Sequence, residues 1–182
     1  MKDISQASFI IPGKLAAFVY KQDYDIDILH KILSGWRDVE HLFDFYEKNK
    51  KAIEDGPLTH YGYSFEDFSE EVMSDLEQLE DFINNLKNDD VELDDCFAPL
   101  SKDEEESKVL SLRKRRCTWL RIYAIRIDEN LYVITGGAIK ITKTMQDHND
   151  TKNELAQLDY SRQWLKHKGI DTDEDFYLYF DL

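Results

Sequence analysis

The sequence lacks the features that mark extracellular, fibrous and membrane-spanning proteins. Its 182 residues include only two cysteines, three prolines and seven glycines. Cys96 and Cys117 supply no disulfide framework and no CxxC pair, which predicts reduced thiols in a cytoplasmic protein. So few prolines and glycines exclude a collagen-like or linker-dominated chain. No run approaches the roughly 20 apolar residues that span a bilayer, so no membrane partner is predicted.

The sequence does contain many more acidic residues than basic ones. Lys and Arg total 23 against 38 Asp and Glu, which gives a net charge of −15 and a pI near 4.7. Hydrophobic residues make up 42% and aromatic residues 13% of the chain, too much for a disordered acidic protein. Because a net anion repels phosphates, we do not expect the whole molecule to bind DNA or RNA unspecifically.

The charge is divided unevenly along the chain. Residues 44–106 carry 5 basic and 21 acidic groups, net −16, and residues 107–143 carry 9 basic and 2 acidic groups, net +7. A local phosphate-binding site within 107–143 is therefore compatible with the acidic average.

The acidic part has the apolar spacing of helices. Residues 36–54 repeat apolar side chains at helical intervals and are followed by Gly56-Pro57, which predicts one amphipathic helix. A second helix is predicted from Ser64, with Asp67 as its capping partner, to Leu86. The segment 7–20 is interpreted as a core strand or turn, and 87–107 as a loop.

The basic part changes to the alternation of strands. Residues 119–127 and 131–135 predict a β-hairpin, and 138–142 a third short strand. Gly136-Gly137 between the last two is either a tight turn or a bulge within one bent strand.

A helix is predicted over 151–168 at the end of the chain. Thr151 and Glu154 form a capping-box pattern at its start, and Gly169 is suited to its C-terminal end. The aromatic tail after Asp171 is expected to dock on the core.

No metal site and no cofactor are predicted. The aspartate clusters 23–27 and 171–175 begin like calcium loops but lack the glycine and the bidentate glutamate that such loops need. The five histidines share no ligand spacing, and there is no phosphate-binding or dinucleotide-binding glycine motif.

The basic strands offer a more specific pattern. Alternation places Trp119, Arg121 and Tyr123 on one face of their strand, where Lys140 of the last strand can converge with Arg121. Arginine binds phosphate in a bidentate manner, lysine supplies a point charge or a proton acceptor, and the two rings could stack on a base. In the alternative interpretation, the strand arginines cover the sheet with their stems and pair with the acidic helices.

Several short segments in this region together resemble a known family. They are Phe97-Ala-Pro-Leu100, Leu112-Arg113, Leu120-Arg-Ile-Tyr123 and the run from Val133 through Gly136-Gly137 to Lys140 and Lys143. In this order they resemble the RelE/ParE superfamily of type II toxins, and most of all its HigB-like branch, over about residues 95–168.

The resemblance implies a metal-free endoribonuclease that cleaves messenger RNA on the ribosome, with a cognate antitoxin as partner. Arg113 and Arg121 would hold the RNA phosphate, and Lys140 would stabilise the developing charge or take the 2′-hydroxyl proton. Arg121 and Lys140 are thus the predicted catalytic residues. Arg113, Arg116, Trp119, Tyr123 and Lys143 are the predicted RNA-binding residues.

Two departures from the family pattern motivate an alternative function. Ile141 stands where the motif has a second lysine, and the family-like part is preceded by about 95 residues that carry a large negative charge. The alternative is a catalytically inactive RelE-like protein that acts as a protein-binding module. A further hypothesis is that the acidic helix lies over the basic face and masks it. The simpler interpretation is that the acidic side of this helix is exposed to solvent.

For the fold we predict an α+β class. A small antiparallel sheet of RelE type would be packed with N-terminal helices and closed by the C-terminal helix. Residues 1–94 are predicted to form an acidic, mainly helical extension, and 95–182 the RelE/HigB-like core.

Overall fold

Helices and strands both contribute to the fold, which is of the predicted α+β class. The computed structural model describes residues 1–56, 59–60, 62–87, 93–101, 104–110, 119–129, 131–141 and 149–182. The elements in chain order are β1 (Ile4–Ile11), β2 (Leu15–Tyr20), α1 (Ile28–Arg37), α2 (Val39–Glu54), α3 (Phe65–Leu86), α4 (Leu93–Cys96), β3 (Phe97–Ser101), β4 (Glu104–Leu110), β5 (Leu120–Asp128), β6 (Leu131–Ile139), α5 (Asn149–Lys168) and α6 (Asp173–Phe180).

One six-stranded sheet has the order β1-β2-β6-β5-β4-β3. Its neighbours are antiparallel except for β2 and β6, which run parallel, with Leu15 opposite Tyr132 and Ala17 opposite Ile134. The prediction of an antiparallel sheet is therefore wrong at this junction, and the sheet is mixed. All six residues of β2 are buried, as expected for an inner strand with both faces covered. The sheet combines strands from both sides of residue 94.

The segment before β2 explains how this strand enters the sheet. The predicted extended segment 7–20 forms an antiparallel hairpin, in which Ala7 pairs with Phe18. Gly13 turns the chain with φ +73°, a conformation that costs little only in a residue without Cβ.

The helix predicted over 36–54 is two helices in the structure. Asp38 ends α1 and begins α2, and its side chain accepts hydrogen bonds from the backbone N–H groups of Glu40 and His41. Asp27 caps α1 in the same way through the N–H of His30. The apolar spacing continues across the break, so the pattern alone did not separate the two helices. The predicted helix from Ser64 to Leu86 is confirmed as α3, including its capping box.

The prediction of a loop over 87–107 is wrong for the part that the structure describes. It contains α4, β3 and the first half of β4. Strand β4 pairs with β5, with Ser107 opposite Ile125 and Leu110 opposite Ile122. Pairing with a formed neighbour overrides the low strand preference of an acidic run, which is why composition gave the wrong result.

The glycine pair lies within one continuous strand. Tyr123 pairs with Gly136 and Ala124 with Ile134, so Thr135 is an extra residue and β6 carries a bulge. Of the two interpretations of Gly136-Gly137, the bulge is the correct one. The prediction of a separate third strand over 138–142 is wrong for Ala138 and Ile139, because both belong to β6. Thr142 lies outside the described residues.

Helices cover both faces of β6. A Cβ at Gly137 would meet Ile32 and Trp36 of α1, and a Cβ at Gly136 would meet Glu154 of α5. Since successive strand residues point to opposite faces, α1 and α5 lie on opposite sides of the sheet.

The C-terminal helices close the fold. The predicted helix over 151–168 is confirmed as α5, which ends at Lys168 and is followed by Gly169 with φ +70°. The predicted cap is wrong, because Thr151 lies inside the helix and is fully buried. The predicted docking of the tail is confirmed by α6, whose Phe176 is fully buried and lies 4.9 Å from Phe180 between ring centroids.

Candidate functional site

Arg121 is held on the sheet by the pairing of β5 with β6. It lies opposite Ala138 and is half-buried, and its guanidinium donates a hydrogen bond to the carbonyl of Leu120 at 2.7 Å. Burial lowers the pKa of Arg121, and the charges of Tyr123 and Asp75 oppose this effect. The guanidinium stays charged at any physiological pH, so Arg121 provides a fixed positive charge.

Lys140 continues β6 beside this arginine. Its backbone N–H donates to the carbonyl of Trp119 at 2.6 Å, which extends the ladder by one residue pair. Alternation puts Lys140 on the same face as Ala138 and hence as Arg121. Burial and then the charge of Arg121 lower the pKa of the Lys140 ammonium. The structure thus brings the two predicted catalytic residues to one face, and it makes the lysine easier to deprotonate.

The two rings predicted to stack on a base belong to the core. Trp119 is 1% exposed, donates from Nε1 to Glu71 Oε2 at 2.7 Å and packs on Phe68 with 5.1 Å between ring centroids. Tyr123 has no exposed surface, and burial followed by the charge of Glu154 raises its pKa. In this arrangement both rings support the sheet, and stacking on a base would require them to leave the core.

The acidic helix α3 contacts the beginning of the basic strand. Asp75, which is buried, accepts a hydrogen bond from the N–H of Trp119 at 2.5 Å. Burial raises the pKa of Asp75, and the bonds from the Trp119 and Leu120 N–H groups and the charge of Arg121 oppose this. Part of the acidic helix is therefore a structural partner of β5, whereas its outer face is solvated.

Three predicted RNA-binding residues cannot be placed. Arg113, Arg116 and Lys143 lie outside the described residues. The site as the structure describes it consists of Arg121 and Lys140, while Trp119 and Tyr123 are buried in the core.

A further chemical group lies next to this face and was not predicted as functional. The carboxylate of Glu154 projects from α5 onto Gly136 and accepts a hydrogen bond from the N–H of Gly137. Its Oε2 atom is buried and has no hydrogen-bond partner in the described part of the chain. The pKa of Glu154 is raised to about 7, chiefly by burial and to a smaller extent by the Asp150 charge, while the Lys2 charge and the hydrogen bond from Gly137 oppose the rise. A carboxyl that titrates near neutrality is suited to proton transfer and to charge-dependent binding.

A cavity of about 390 Å³ opens beside Glu154. We call it the α2–α5 cavity, because α2 and α5 form its walls while the end of β6 and one side chain of α1 close it. Its residues are Trp36, His41, Asp44, Phe45, Lys48, Gly137, Ala138, Ile139, Asp150, Asn153 and Glu154. Ala138 lines this cavity and pairs with Arg121, so the two regions adjoin.

Two sequence features bear on Glu154, but neither identifies it as part of a site. Thr151-x-x-Glu154 has the spacing of a capping box, and it was interpreted as one. The other signal is Gly136-Gly137, because a glycine pair inside a strand indicates that another group approaches the backbone closely. The identity of that group depends on how α5 packs, which local patterns do not specify.

Comparisons with protein-family models, curated proteins and solved structures find no match to this chain. In the described residues no group of three or more His, Cys, Asp or Glu side chains could hold a metal ion. Among the same residues no helix combines the length and the apolar character needed to cross a membrane.

Proposed function

We propose that the protein is a RelE/HigB-like toxin component that cleaves messenger RNA on the ribosome, in the cytoplasm, under the control of a cognate antitoxin. The observation that supports the proposal is the pair formed by Arg121 and Lys140 on one sheet face. Burial and then the charge of Arg121 lower the pKa of Lys140, which is the direction that a proton acceptor requires.

The proposed reaction requires only the RNA, water and these side chains. The 2′-hydroxyl oxygen attacks the adjacent phosphorus, the bond from phosphorus to the 5′-oxygen breaks, and the departing 5′-oxygen takes a proton from water. A 2′,3′-cyclic phosphate and a 5′-hydroxyl result. Lys140 accepts the 2′-hydroxyl proton or neutralises the charge that develops on the phosphate. Arg121 holds the phosphate through its fixed charge, which acts strongly in a half-buried site.

The test is induced expression in bacteria with growth and transcript ends as readouts. Wild type is expected to arrest growth and to leave transcripts with 2′,3′-cyclic phosphate ends. Lys140→Ala and Arg121→Ala are expected to lower cleavage by about 100-fold or more, as for loss of a group that stabilises transition-state charge. Lys152→Ala and Arg162→Ala, cations on α5, serve as matched controls and should remain toxic. Equal cleavage by Arg121→Ala/Lys140→Ala and wild type would contradict the proposed site.

A second candidate function is the non-catalytic protein-binding module. Two observations favour it: Ile141, at the position of the motif's second lysine, is 1% exposed, and Leu178 on α6 is 85% exposed. A buried isoleucine leaves that position in the core, and an exposed apolar side chain is suited to a protein partner. Wild type without any RNA cleavage, together with a stable complex with the product of an adjacent gene, would favour this function.

A further inference from the structure

The two edge strands of the sheet differ in how they are protected against a further strand. In the part of the chain that the structure describes, β1 pairs only with β2, and β3 pairs only with β4. The outer side of an edge strand presents unpaired N–H and C=O groups, which are a template for another strand, and proteins commonly block it with charged residues or proline. Strand β3 contains Pro99, whereas β1 contains no charged residue, no proline and no glycine. The edge at β1 is therefore the unprotected one.

A regular stretch lies in the middle of β1. The pairing of β1 with β2 is irregular near both ends of the strand and continuous from Gln6 to Phe9, where Ala7 lies opposite Phe18. Alternate residues of an antiparallel strand direct their N–H and C=O groups away from the neighbour. Since a bulge disrupts the ladder locally, an added strand is expected to pair along Gln6–Phe9.

Apolar side chains lie beside this open edge. Phe9 and Ile10 pack against the core but are only partly buried, and Gln6 is exposed. A strand placed next to β1 would cover more of the two apolar side chains in addition to pairing with the backbone. Cross-strand contacts of this kind are what stabilises a sheet, so the edge offers both polar and apolar binding surface.

The charge of the β1–β2 hairpin allows two copies of this acidic chain to approach each other. Residues 1–22, all of which the structure describes, carry three basic side chains and one acidic side chain, net +2, whereas the whole chain carries −15. The four charged residues are Lys2, Asp3, Lys14 and Lys21, and all of them lie outside the two strands. Repulsion between the more distant acidic parts is screened beyond about 10 Å at moderate salt.

A second copy of the chain supplies the partner strand that this edge requires, because its own β1 is also uncharged, regular and open. In antiparallel pairing about a two-fold axis at Ala7, the two Ala7 residues lie opposite each other, and Gln6 lies opposite Ser8 of the second copy. Both open edges are used in one contact, so the assembly closes as a dimer. We propose that the protein forms a homodimer in which the β1 strands of two copies pair and the sheet continues across the two-fold axis.

The first experiment is sedimentation velocity of the full chain over a concentration series at neutral pH. We expect a monomer of 21.5 kDa at low concentration and a species of twice that mass as the concentration rises. The Arg121→Ala/Lys140→Ala variant should dimerise as wild type does, so the dimer is tested separately from RNA cleavage. A monomer at every concentration up to about 1 mM would overturn the proposal, since it limits any pairing to a Kd above that value.

The second experiment places a charge on the pairing line. Gln6 is exposed, so Gln6→Lys should keep the circular dichroism spectrum of wild type. It should weaken dimerisation by about tenfold or more, because the lysines of the two copies meet near the axis. Gln163→Lys, the same change at an exposed position of α5, is the matched control and should dimerise as wild type does. Dimerisation that Gln6→Lys leaves unchanged, or that Gln163→Lys weakens equally, would overturn the proposal.

Hydrogen exchange at low and high protein concentration locates the contact without any substitution. The amides of β1 that point away from β2 should exchange more slowly once the dimer forms, because they become hydrogen-bonded, and exchange in β3 should not change. A dimer that leaves exchange in residues 4–11 unchanged would show that the copies meet elsewhere, for example at the exposed Leu178 of α6, and would overturn the proposal.

Discussion

The carboxylate of Glu154 occupies the space that a side chain at Gly136 would need. A Cβ built on Gly136 would lie 3.0 Å from the Glu154 Cδ atom and closer still to Oε2. The glycine therefore allows α5 to approach β6, and the close approach is what buries the carboxylate.

Gly136→Ala should destabilise the protein by about 1–3 kcal/mol, as overpacking does in a close-packed interior. The methyl group would displace the Glu154 carboxylate from its buried position beside Gly136. Urea unfolding followed by circular dichroism measures the change. Gly35→Ala is the matched control, since it lies in α1 with its nearest contact at 3.9 Å. It should raise stability by up to about 1 kcal/mol through helix propensity. A Gly136→Ala variant as stable as wild type would contradict the close contact.

Glu154 should make the folded state less stable as the pH rises from about 4.5 to about 7. Its pKa is about 7 in the fold against the usual 4.5, so between these values the folded state holds a proton that the unfolded chain has lost. Stability then decreases with rising pH across this window and becomes level above it, with a total loss of up to about 3 kcal/mol. The carboxyl of Glu154 interacts electrostatically with four other titratable residues, which are Lys2, Tyr20, Tyr123 and Asp150.

Urea unfolding at about pH 5 and about pH 8 measures this effect. Glu154→Gln should remove most of the difference between the two conditions, because an amide does not titrate. Asp159→Asn should retain the wild-type difference. If Glu154→Gln and wild type lose the same stability on going to the higher pH, another group is responsible.

Asp75→Ala should cost about 1–3 kcal/mol, because it leaves the buried N–H of Trp119 without its acceptor. The loss should be visible in the near-ultraviolet signal of Trp119 as well as in the unfolding free energy. Glu77→Ala, an exposed acid on the same helix, should change stability by less than about 0.5 kcal/mol. Equal effects of the two substitutions would contradict a structural role for Asp75.

Phe176→Ala should destabilise the protein by about 3–5 kcal/mol, the usual cost of removing a buried aromatic ring. The ring has no exposed surface and lies against Phe180, which in turn is 6.0 Å from Phe18 of β2 between centroids. Leu178→Ala on the outer face of the same helix should have almost no effect, since that side chain is 85% exposed. Limited proteolysis near the C-terminus gives a second readout of docking. A stable Phe176→Ala variant would show that α6 contributes little.

Regular local patterns predicted the fold best. The apolar spacing of α3 and the capping box of Ser64 and Asp67 were sufficient to place that helix at its observed bounds. By contrast, β4 contains three successive glutamates and is a strand because β5 pairs with it. The parallel contact of β2 with β6 joins residues far apart in the chain, and no local signal encodes such a contact.

In the candidate site, too, the features set by local geometry were predictable and those set by distant packing were not. Alternation along two strands was sufficient to place Arg121 and Lys140 on one face, since strand geometry is local. The burial of Trp119 depends on α3, and the burial of Glu154 depends on α5. Neither could be predicted from the strands alone, because the covering elements come from elsewhere in the chain.

The parallel pairing of β2 with β6 also affects how the chain can fold. Roughly 110 residues separate the end of β2 from the start of β6. During synthesis β2 therefore cannot pair with β6 until those residues have been made. Contacts between such distant segments form slowly, and the apolar β2 has an unpaired edge until they form. Completion of the sheet by β6 is thus expected to be a late event in folding, and the period before it is when the new chain is most exposed to aggregation or to a chaperone.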